Sequence, residues 1–390
     1  MSDTRSALVR TCLVAVLLVA LVPASAPALS APQRVIVAYQ DGTSEAVRGS
    51  LVGRGASVNA HLAGAHAFAV SLRPGLSMAE VATMPGVRLV EEDAVVTILK
   101  RPAPAPVVET LPWGVDRVEA DAVWGTTTGD PVKVAVVDTG IDRTHPDLAG
   151  NLKGGYNAIS PTVSWTDDNG HGTHVAGTIA AIDNTIGVIG VAPQADLYAV
   201  KVLNRRGSGL TSDIIEGIDW AITNDMDVIN MSLGSSTYSS TFEAACTRAI
   251  EAGVVIVAAA GNSGPGDATV GYPAKYPGVI GVSATDSSNV IAYFSSRGDG
   301  VDIAAPGVSI YSTYRGGAYT TMSGTSMASP HVAGVVALIL TQPDGNDGTW
   351  TPAEVQDRLQ STAQDLGSEG YDLLYGAGLV RADLAVAGPQ

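Results

Sequence analysis

The chain has 390 residues, of which 46% are hydrophobic and 15% are charged, and this composition excludes a wholly disordered protein. Its 22 basic and 38 acidic residues give a formal net charge of −16, which disfavours nucleic acid or anionic lipid as the main binding partner. The two cysteines, Cys12 and Cys246, are too few for a disulfide framework, and no spaced group of cysteine and histidine residues indicates a structural zinc.

The N-terminal residues follow the order of charge and hydrophobicity that is typical of a signal peptide. Arg5 and Arg10 precede an apolar run over residues 12–22, and small residues follow at 24–28. The apolar run is too short to cross a bilayer as a helix. We therefore expect residues 1–31 to be removed and the mature protein to be exported, to an extracellular or periplasmic location, without a membrane anchor.

The next segment, residues 32–106, is predicted to be a small α+β unit that ends in a linker. Apolar patterns predict strands over residues 34–39, 67–72 and 87–90 and a short helix over residues 77–84. Every second residue from Pro102 to Pro106 is proline, which is typical of an extended and exposed segment. We expect a linker and a cleavage zone there.

Strand-like runs alternate with helical patterns from about Val107 onward. The runs cover residues 132–137, 197–203, 228–231, 254–260 and 279–282. Because they are apolar at consecutive positions, both faces of each strand are expected to be covered. The sequence therefore predicts an α/β fold with a mainly parallel β-sheet flanked by helices.

Two helices between these strands are well marked by the spacing of their apolar residues. One spans Ile214 to Ile222 and the other spans Phe242 to Ile250, and Ser240 with Glu243 is predicted to form a capping box at the second start. Cys246 lies on the apolar face of the second helix, so we expect it to be a buried hydrophobic residue without chemistry.

Four polar residues stand at the ends of these predicted elements. Asp138 follows the first strand, at the edge where parallel sheets hold ligands. His171 stands between two glycines at the start of a predicted helix, and Ser326 begins a helix whose free N–H groups can stabilise an oxyanion. Asn262 follows a buried strand. Taken singly, each could be a cap, a turn residue or a structural histidine.

A metal site is a weaker interpretation of the two histidines in this segment. His171 and His174 are three residues apart, but the HExxH pattern of zinc proteases is absent, so we predict no zinc site here.

Together these segments resemble the subtilisin-like serine proteases. Asp138, His171 and Ser326 stand in the Asp, His, Ser order of that family, and the sequence Gly-Thr-Ser-Met-Ala-Ser-Pro-His at 324–331 is highly specific. The resemblance covers about residues 111–387. The N-terminal unit is similar, more loosely, to the inhibitory propeptides that precede such proteases.

The resemblance implies a domain order and a set of partners. The order would be a signal peptide at 1–31, a propeptide and linker at 32–106, and a subtilisin-like catalytic domain at 107–390. The propeptide would be an intramolecular inhibitor and folding chaperone, although a transport spacer is the alternative. The other partners would be protein or peptide substrates, and we expect a monomer.

The resemblance also implies the roles of the four polar residues. Ser326 would be the nucleophile, His171 the base, and Asp138 the group that fixes the tautomer of the imidazole. The Asn262 amide would hold the oxyanion. The implied reaction is hydrolysis of peptide bonds through an acyl-enzyme. A catalytically inactive binding homologue and an esterase with the same triad are the two alternatives.

Substrate and metal sites follow from the same resemblance. The residues that would bind an extended substrate are Ser232, Leu233, Gly234, Gly209, Ala259, Gly261 and Gly271. The last three are small, so we expect a preference for large apolar side chains before the scissile bond. No organic cofactor is expected, but a structural calcium ion is. Its oxygen ligands would come from Glu109, Asp147, Ile182, Asn184, Ile186 and Val188. A solvated acidic loop is the alternative.

Overall fold

The computed structural model describes residues 33–97, 109–344 and 348–388. The predicted signal peptide and the prolines at 102–106 lie outside the described residues. Within those residues, no helix is both long and apolar enough to span a membrane. The gap at 98–108 separates an N-terminal unit from a larger C-terminal unit, which we call the catalytic unit below.

The N-terminal unit is a four-stranded antiparallel sheet with the strand order β2-β3-β1-β4. Its elements are β1 (Gln33–Tyr39), α1 (Ser44–Gly53), β2 (Ser57–Leu62), β3 (Ala67–Leu72), α2 (Met78–Ala82), β4 (Val87–Glu92) and β5 (Val95–Thr97). The three predicted strands and the predicted helix are present. Strand β2 was not predicted, because its residues are mostly exposed or half-buried and the strand therefore carries little apolar pattern.

The catalytic unit contains a seven-stranded sheet in which every neighbouring pair is parallel, in the order β13-β12-β11-β10-β6-β8-β7. Its elements are α3 (Trp113–Arg117), β6 (Lys133–Asp138), β7 (Leu152–Asn157), α4 (His171–Ala180), β8 (Asp196–Lys201), β9 (Ser208–Leu210), α5 (Thr211–Thr223), β10 (Val228–Met231), α6 (Ser240–Glu251), β11 (Val255–Ala259), β12 (Ile280–Thr285), β13 (Ile303–Pro306), β14 (Ile310–Tyr314), β15 (Ala318–Met322), α7 (Thr325–Leu340), α8 (Pro352–Ser361) and α9 (Ala382–Ala387). The predicted α/β class with a mainly parallel sheet is confirmed.

The sheet is covered on both faces, and strand β6 shows why its residues are apolar at consecutive positions. Val134 and Val136 belong to the hydrophobic cluster that includes helices α4 and α7. Ala135 and Val137 belong to the opposite cluster, which includes helices α5 and α6. Side chains alternate between the faces of a strand, so a strand between two helical layers needs apolar residues at every position.

Helix α6 begins differently from the prediction. Its N-cap is Ser239, whose hydroxyl accepts a hydrogen bond from the Phe242 N–H at 3.2 Å, and Ser240 is the first helical residue. The predicted capping box of Ser240 and Glu243 is therefore wrong, since two adjacent serines offer the same signal and only the backbone decides which of them is the cap. Cys246 is buried as predicted, and burial raises the pKa of its thiol.

Candidate active site

The end of the central strand meets the start of a buried helix at Asp138 and His171. Asp138 is the last residue of β6, and His171 is the first residue of α4. Both side chains are fully buried, and His171 Nδ1 lies 2.8 Å and 2.9 Å from the two carboxylate oxygens of Asp138. A carboxylate at this distance holds the proton on Nδ1, which leaves Nε2 as the basic nitrogen of the ring.

The second ring nitrogen of His171, Nε2, is buried and has no hydrogen-bond partner among the described residues. Buried polar atoms are nearly always paired, so an orphaned basic nitrogen marks a place where a reacting group can bind. The hydroxyl of Ser326, the second residue of α7, donates instead to the Ser232 carbonyl oxygen at 3.0 Å. The structure thus joins Asp138 to His171 and gives Ser326 a different partner.

His174, one helical turn after His171, is buried and has a structural role. Its Nε2 donates to the carbonyl oxygen of Ile310 at 3.0 Å, and complete burial lowers its pKa to about 3. The ring is therefore neutral at physiological pH and ties helix α4 to strand β14.

Asn262 and the start of helix α7 form a pair of converging N–H donors. The side-chain oxygen of Asn262 accepts hydrogen bonds from the backbone N–H and the hydroxyl of Thr325, at 2.9 Å and 3.1 Å. A Cβ atom added to Gly324 would lie 3.5 Å from Asn262 Nδ2 and 3.6 Å from the Ser326 nitrogen. Both donors therefore border one small space, which glycine leaves open and which an oxygen atom could occupy.

A cavity of about 240 Å³ includes both Asn262 and Ser326. Five of the seven predicted substrate-binding residues line it, namely Leu233, Gly234, Ala259, Gly261 and Gly271. The other two lie elsewhere: Ser232 is fully buried, and Gly209 is in strand β9. The Ser232 hydroxyl donates to the Ser326 carbonyl oxygen at 2.8 Å, so this serine braces the start of α7.

Gly209 lies in an edge strand that is paired with another segment of the same chain. Strand β9 pairs in antiparallel register with β5 of the N-terminal unit, with Val96 opposite Gly209. A side chain at Gly209 would collide with the Val202 carbonyl, so only glycine fits this position. The edge expected to bind an extended substrate is thus bound to an extended segment of the same chain.

The predicted calcium ligands Glu109, Asp147 and Asn184 lie together. The Asn184 amide donates to Asp147 Oδ1 at 2.7 Å, and the Asn184 backbone N–H donates to Glu109 Oε1 at 2.6 Å. The Val188 N–H donates to Asp147 Oδ2 at 3.0 Å. Burial is the main cause that raises the pKa of Asp147 to about 6, and the nearby charge of Glu109 adds to it. In the described part of the chain, no three acidic, histidine or cysteine side chains form a metal-binding group.

Three polar residues around the candidate site were missed by sequence reasoning. Asp167 and Thr139 link the end of β6 to the start of α4. Lys201 ends strand β8, and its ammonium group donates to the carbonyl oxygens of Thr139 and Leu203 at 2.7 Å and 2.9 Å. A lysine that ends an apolar strand was the only sequence signal for this contact, and Thr139 is remote from it in the chain.

A buried aspartate–histidine pair on a parallel α/β fold, together with a serine and N–H donors at a helix start, defines the class of serine hydrolases. The Subtilase family model matches residues 129–378. The chain is 53% identical to Subtilisin of Bacillus pumilus over 281 residues, 71% of this chain and 99% of that relative. It is 51% identical to Subtilisin E of Bacillus subtilis (strain 168) over 308 residues, 76% of this chain and 78% of the relative. The chain therefore belongs to the subtilase family and is a serine endopeptidase of broad specificity.

Thr325 is expected to control the orientation of the Asn262 amide. Its hydroxyl donates to Asn262 Oδ1 and accepts from the Gly261 N–H at 3.1 Å. Thr325→Val removes this hydroxyl, and the loss of its hydrogen bond to Asn262, roughly 1.4 kcal/mol, corresponds to a fall of about tenfold in kcat. Thr325→Ser is the control because it keeps the hydroxyl. Equal kcat values for the two variants on one peptide substrate would contradict this role.

Proposed function

We propose that the chain is a secreted endopeptidase whose nucleophile is Ser326, activated by His171 and Asp138. The observation that carries this proposal is the buried Asp138–His171 pair with its orphaned Nε2. Helix α4, which carries His171, packs against α7, which carries Ser326 at its start. The N–H donors at that start are the natural place for an anionic oxygen.

The reaction follows from the positions of the protons. Ser326 Oγ attacks the carbonyl carbon of a peptide bond while its proton passes to His171 Nε2, and Asp138 stabilises the imidazolium. The carbonyl oxygen becomes an anion and accepts hydrogen bonds from Asn262 Nδ2 and the Ser326 N–H. The C–N bond then breaks, His171 returns the proton to the leaving amine, and an acyl-enzyme remains. Water, deprotonated by the same nitrogen, hydrolyses this ester.

The first step requires a rearrangement at Ser326. Its hydroxyl must leave the Ser232 carbonyl and turn toward His171, which a rotation about the Cα–Cβ bond supplies. Hydrogen bonds between a nucleophile and its base commonly tighten only when substrate is present. Substrate binding in the neighbouring cavity excludes water and favours this rotamer.

The cavity of about 240 Å³ is proposed to hold the side chain before the scissile bond. Ala259, Gly261 and Gly271 contribute almost no side-chain volume and no charge to its wall. An uncharged pocket of this kind favours large apolar side chains, because a lysine or arginine there would lose its hydration without gaining a partner.

Replacing the nucleophile tests the proposal. Ser326→Ala is expected to lower kcat for casein at least about 10⁴-fold, because the remaining groups have no nucleophile to activate. Ser323→Ala, at an exposed serine three residues earlier, is the matched control. A serine-directed phosphonate should label the parent and not Ser326→Ala.

Three outcomes would contradict this proposal. An inactive binding homologue would not react with the phosphonate, and an esterase would cleave simple esters but not casein. A peptide panel with a strict preference for lysine or arginine before the cleaved bond would overturn the proposed pocket.

We also propose that residues 32–106 act as an intramolecular inhibitor and folding chaperone. The antiparallel pairing of β5 with β9 supports inhibition, because it occupies a strand edge that a substrate would otherwise use. Two acidic side chains of the same unit support a role in folding, because each accepts hydrogen bonds at the start of one helix of the catalytic unit.

The first of these helices, α5, has no side-chain cap from its own N-cap residue, Leu210. Asp93 accepts hydrogen bonds there from the Ser212 N–H and hydroxyl, at 3.1 Å and 3.0 Å. At the start of α6, Glu91 accepts from the Ser239 hydroxyl at 2.6 Å and from the Ser240 N–H at 3.2 Å.

The helix contact of Glu91 gives a matched test. Glu91→Gln removes the negative charge at the start of α6, and a charge-assisted hydrogen bond is worth about 1.5–3 kcal/mol, so we expect inhibition by added residues 32–106 to weaken by about tenfold or more. Glu92→Gln, the exposed neighbour, should inhibit as the parent does. Equal inhibition constants would contradict the contact, and full-yield refolding of residues 107–390 alone would count against the chaperone role.

A structural calcium ion is proposed at Glu109, Asp147 and Asn184, with carbonyl oxygens from Ile182, Ile186 and Val188. The donors fit, since all are oxygen atoms and the Asp147 carboxylate is buried close to a second carboxylate. Asn184 would turn its amide to present oxygen, and the ion would neutralise both carboxylates while tying Glu109 to the loop.

Chelation gives the test of this site. The parent is expected to melt at a lower temperature in a chelator than in calcium, because an ion that binds only the folded state stabilises it. Asp147→Asn should lose most of this difference, whereas Asp183→Asn, an exposed acidic residue in the same loop, should keep it. A parent whose melting temperature is unchanged by the chelator would remove the site.

A further inference from the structure

We propose that Asp167 is a positioning residue that fastens the start of helix α4 to the end of strand β6, and so holds His171 against Asp138. The inference rests on the proposed function of His171 as the base. Asp167 touches neither the proposed nucleophile nor the cavity, and nothing in the sequence analysis assigned it a role.

The carboxylate of Asp167 is buried, with 6% of the residue exposed, and both of its oxygen atoms are fully engaged. Oδ1 accepts hydrogen bonds from the N–H groups of Asn169 and Gly170, both at 2.8 Å, which lie in the turn before His171. Oδ2 accepts from the N–H and the hydroxyl of Thr173, at 3.0 Å and 2.6 Å, two residues after His171. The contacts therefore bracket His171 on both sides.

Helix α4 cannot supply this cap from its own N-cap position. That position is Gly170, which has no side chain and a left-handed φ of 112°. A side chain there would overlap the ring of Tyr314 and would have to adopt a left-handed backbone conformation, so a serine or aspartate is disfavoured at this position. The Thr173 N–H is one of the unpaired donors of the first helical turn, and Asp167 satisfies it from outside the helix.

Thr139 connects the same carboxylate to Asp138. The Thr139 hydroxyl donates to Asp167 Oδ1 and accepts from the Gly172 N–H, both at 2.9 Å. The Thr139 N–H donates to Asp138 Oδ1 at 2.7 Å. The Thr139 hydroxyl therefore links the residue after Asp138 to the residue after His171, and Asp167 orients this hydroxyl.

The contacts of Asp167 affect the position of the His171 imidazole, which must contact both Asp138 and the attacking serine. A helix start that shifts by about 1 Å would misalign Nε2, and such displacements cost about 10²-fold in rate. Substrate binding depends on the cavity between β11 and α7, which Asp167 does not contact. The loss is therefore expected in kcat and not in KM.

Four variants of the mature enzyme separate positioning from folding. Asp167→Asn keeps the shape of the side chain but turns one acceptor into a donor, and Asp357→Asn makes the same charge change at an exposed residue of helix α8. Thr139→Val removes the shared hydroxyl, and Thr139→Ser keeps it. Measurements of kcat and KM on one peptide substrate, with the melting temperature of each variant, give the comparison.

We expect Asp167→Asn and Thr139→Val to lower kcat by about 10²-fold at an unchanged KM. Asp357→Asn and Thr139→Ser should retain the parent's kcat. The proposal is overturned if Asp167→Asn lowers the melting temperature without changing kcat, or if Thr139→Val and Thr139→Ser have equal kcat. Should Asp167→Asn not fold, the Thr139 pair decides. These results leave the proposed triad intact, because an active Ser326→Ala variant or a parent that does not react with the phosphonate would overturn that.

Discussion

The hydrogen bond between Asp138 and His171 is the constraint on which the rest of the site depends. A buried carboxylate is stable only when donors surround it, and here the donors are the imidazole and the Thr139 N–H. To bring these groups together, a strand must end where a helix starts. The central parallel sheet with helices on both faces provides such meeting points at the carboxyl ends of its strands.

Three helix starts of the catalytic unit, those of α4, α5 and α6, are completed by a carboxylate from outside the helix. Asp167 caps α4 from the preceding turn, whereas Asp93 and Glu91 of the N-terminal unit reach the starts of α5 and α6. The start of α7 is different, because the N–H group of Ser326 borders an open space. Capped starts fix the scaffold, and the open start of α7 faces the proposed oxyanion.

The two units share one surface, which would link the proposed inhibition to substrate binding. Strand β5 lies on the same edge, β9, that the resemblance assigns to substrate. An extended segment satisfies the backbone groups of an edge strand whether it comes from the same chain or from a substrate. Because this pairing uses main-chain groups, it also explains why the protease accepts many substrate sequences.

The sequence alone predicted the parallel sheet and the residues Asp138, His171, Ser326 and Asn262. It could do so because consecutive apolar residues mark strands between two helical layers, and because the motif at 324–331 is specific. It missed the short strands β5 and β9, whose few residues carry no periodic pattern.

Tertiary structure alone decided the contacts between remote residues. Asp167 and Thr139 are 28 residues apart, and the serine that caps α6 was fixed by the backbone and not by residue type. The partner of the Ser326 hydroxyl was likewise decided by packing. Residue pattern reports burial and local conformation, whereas a hydrogen bond between distant segments depends on how the whole chain folds.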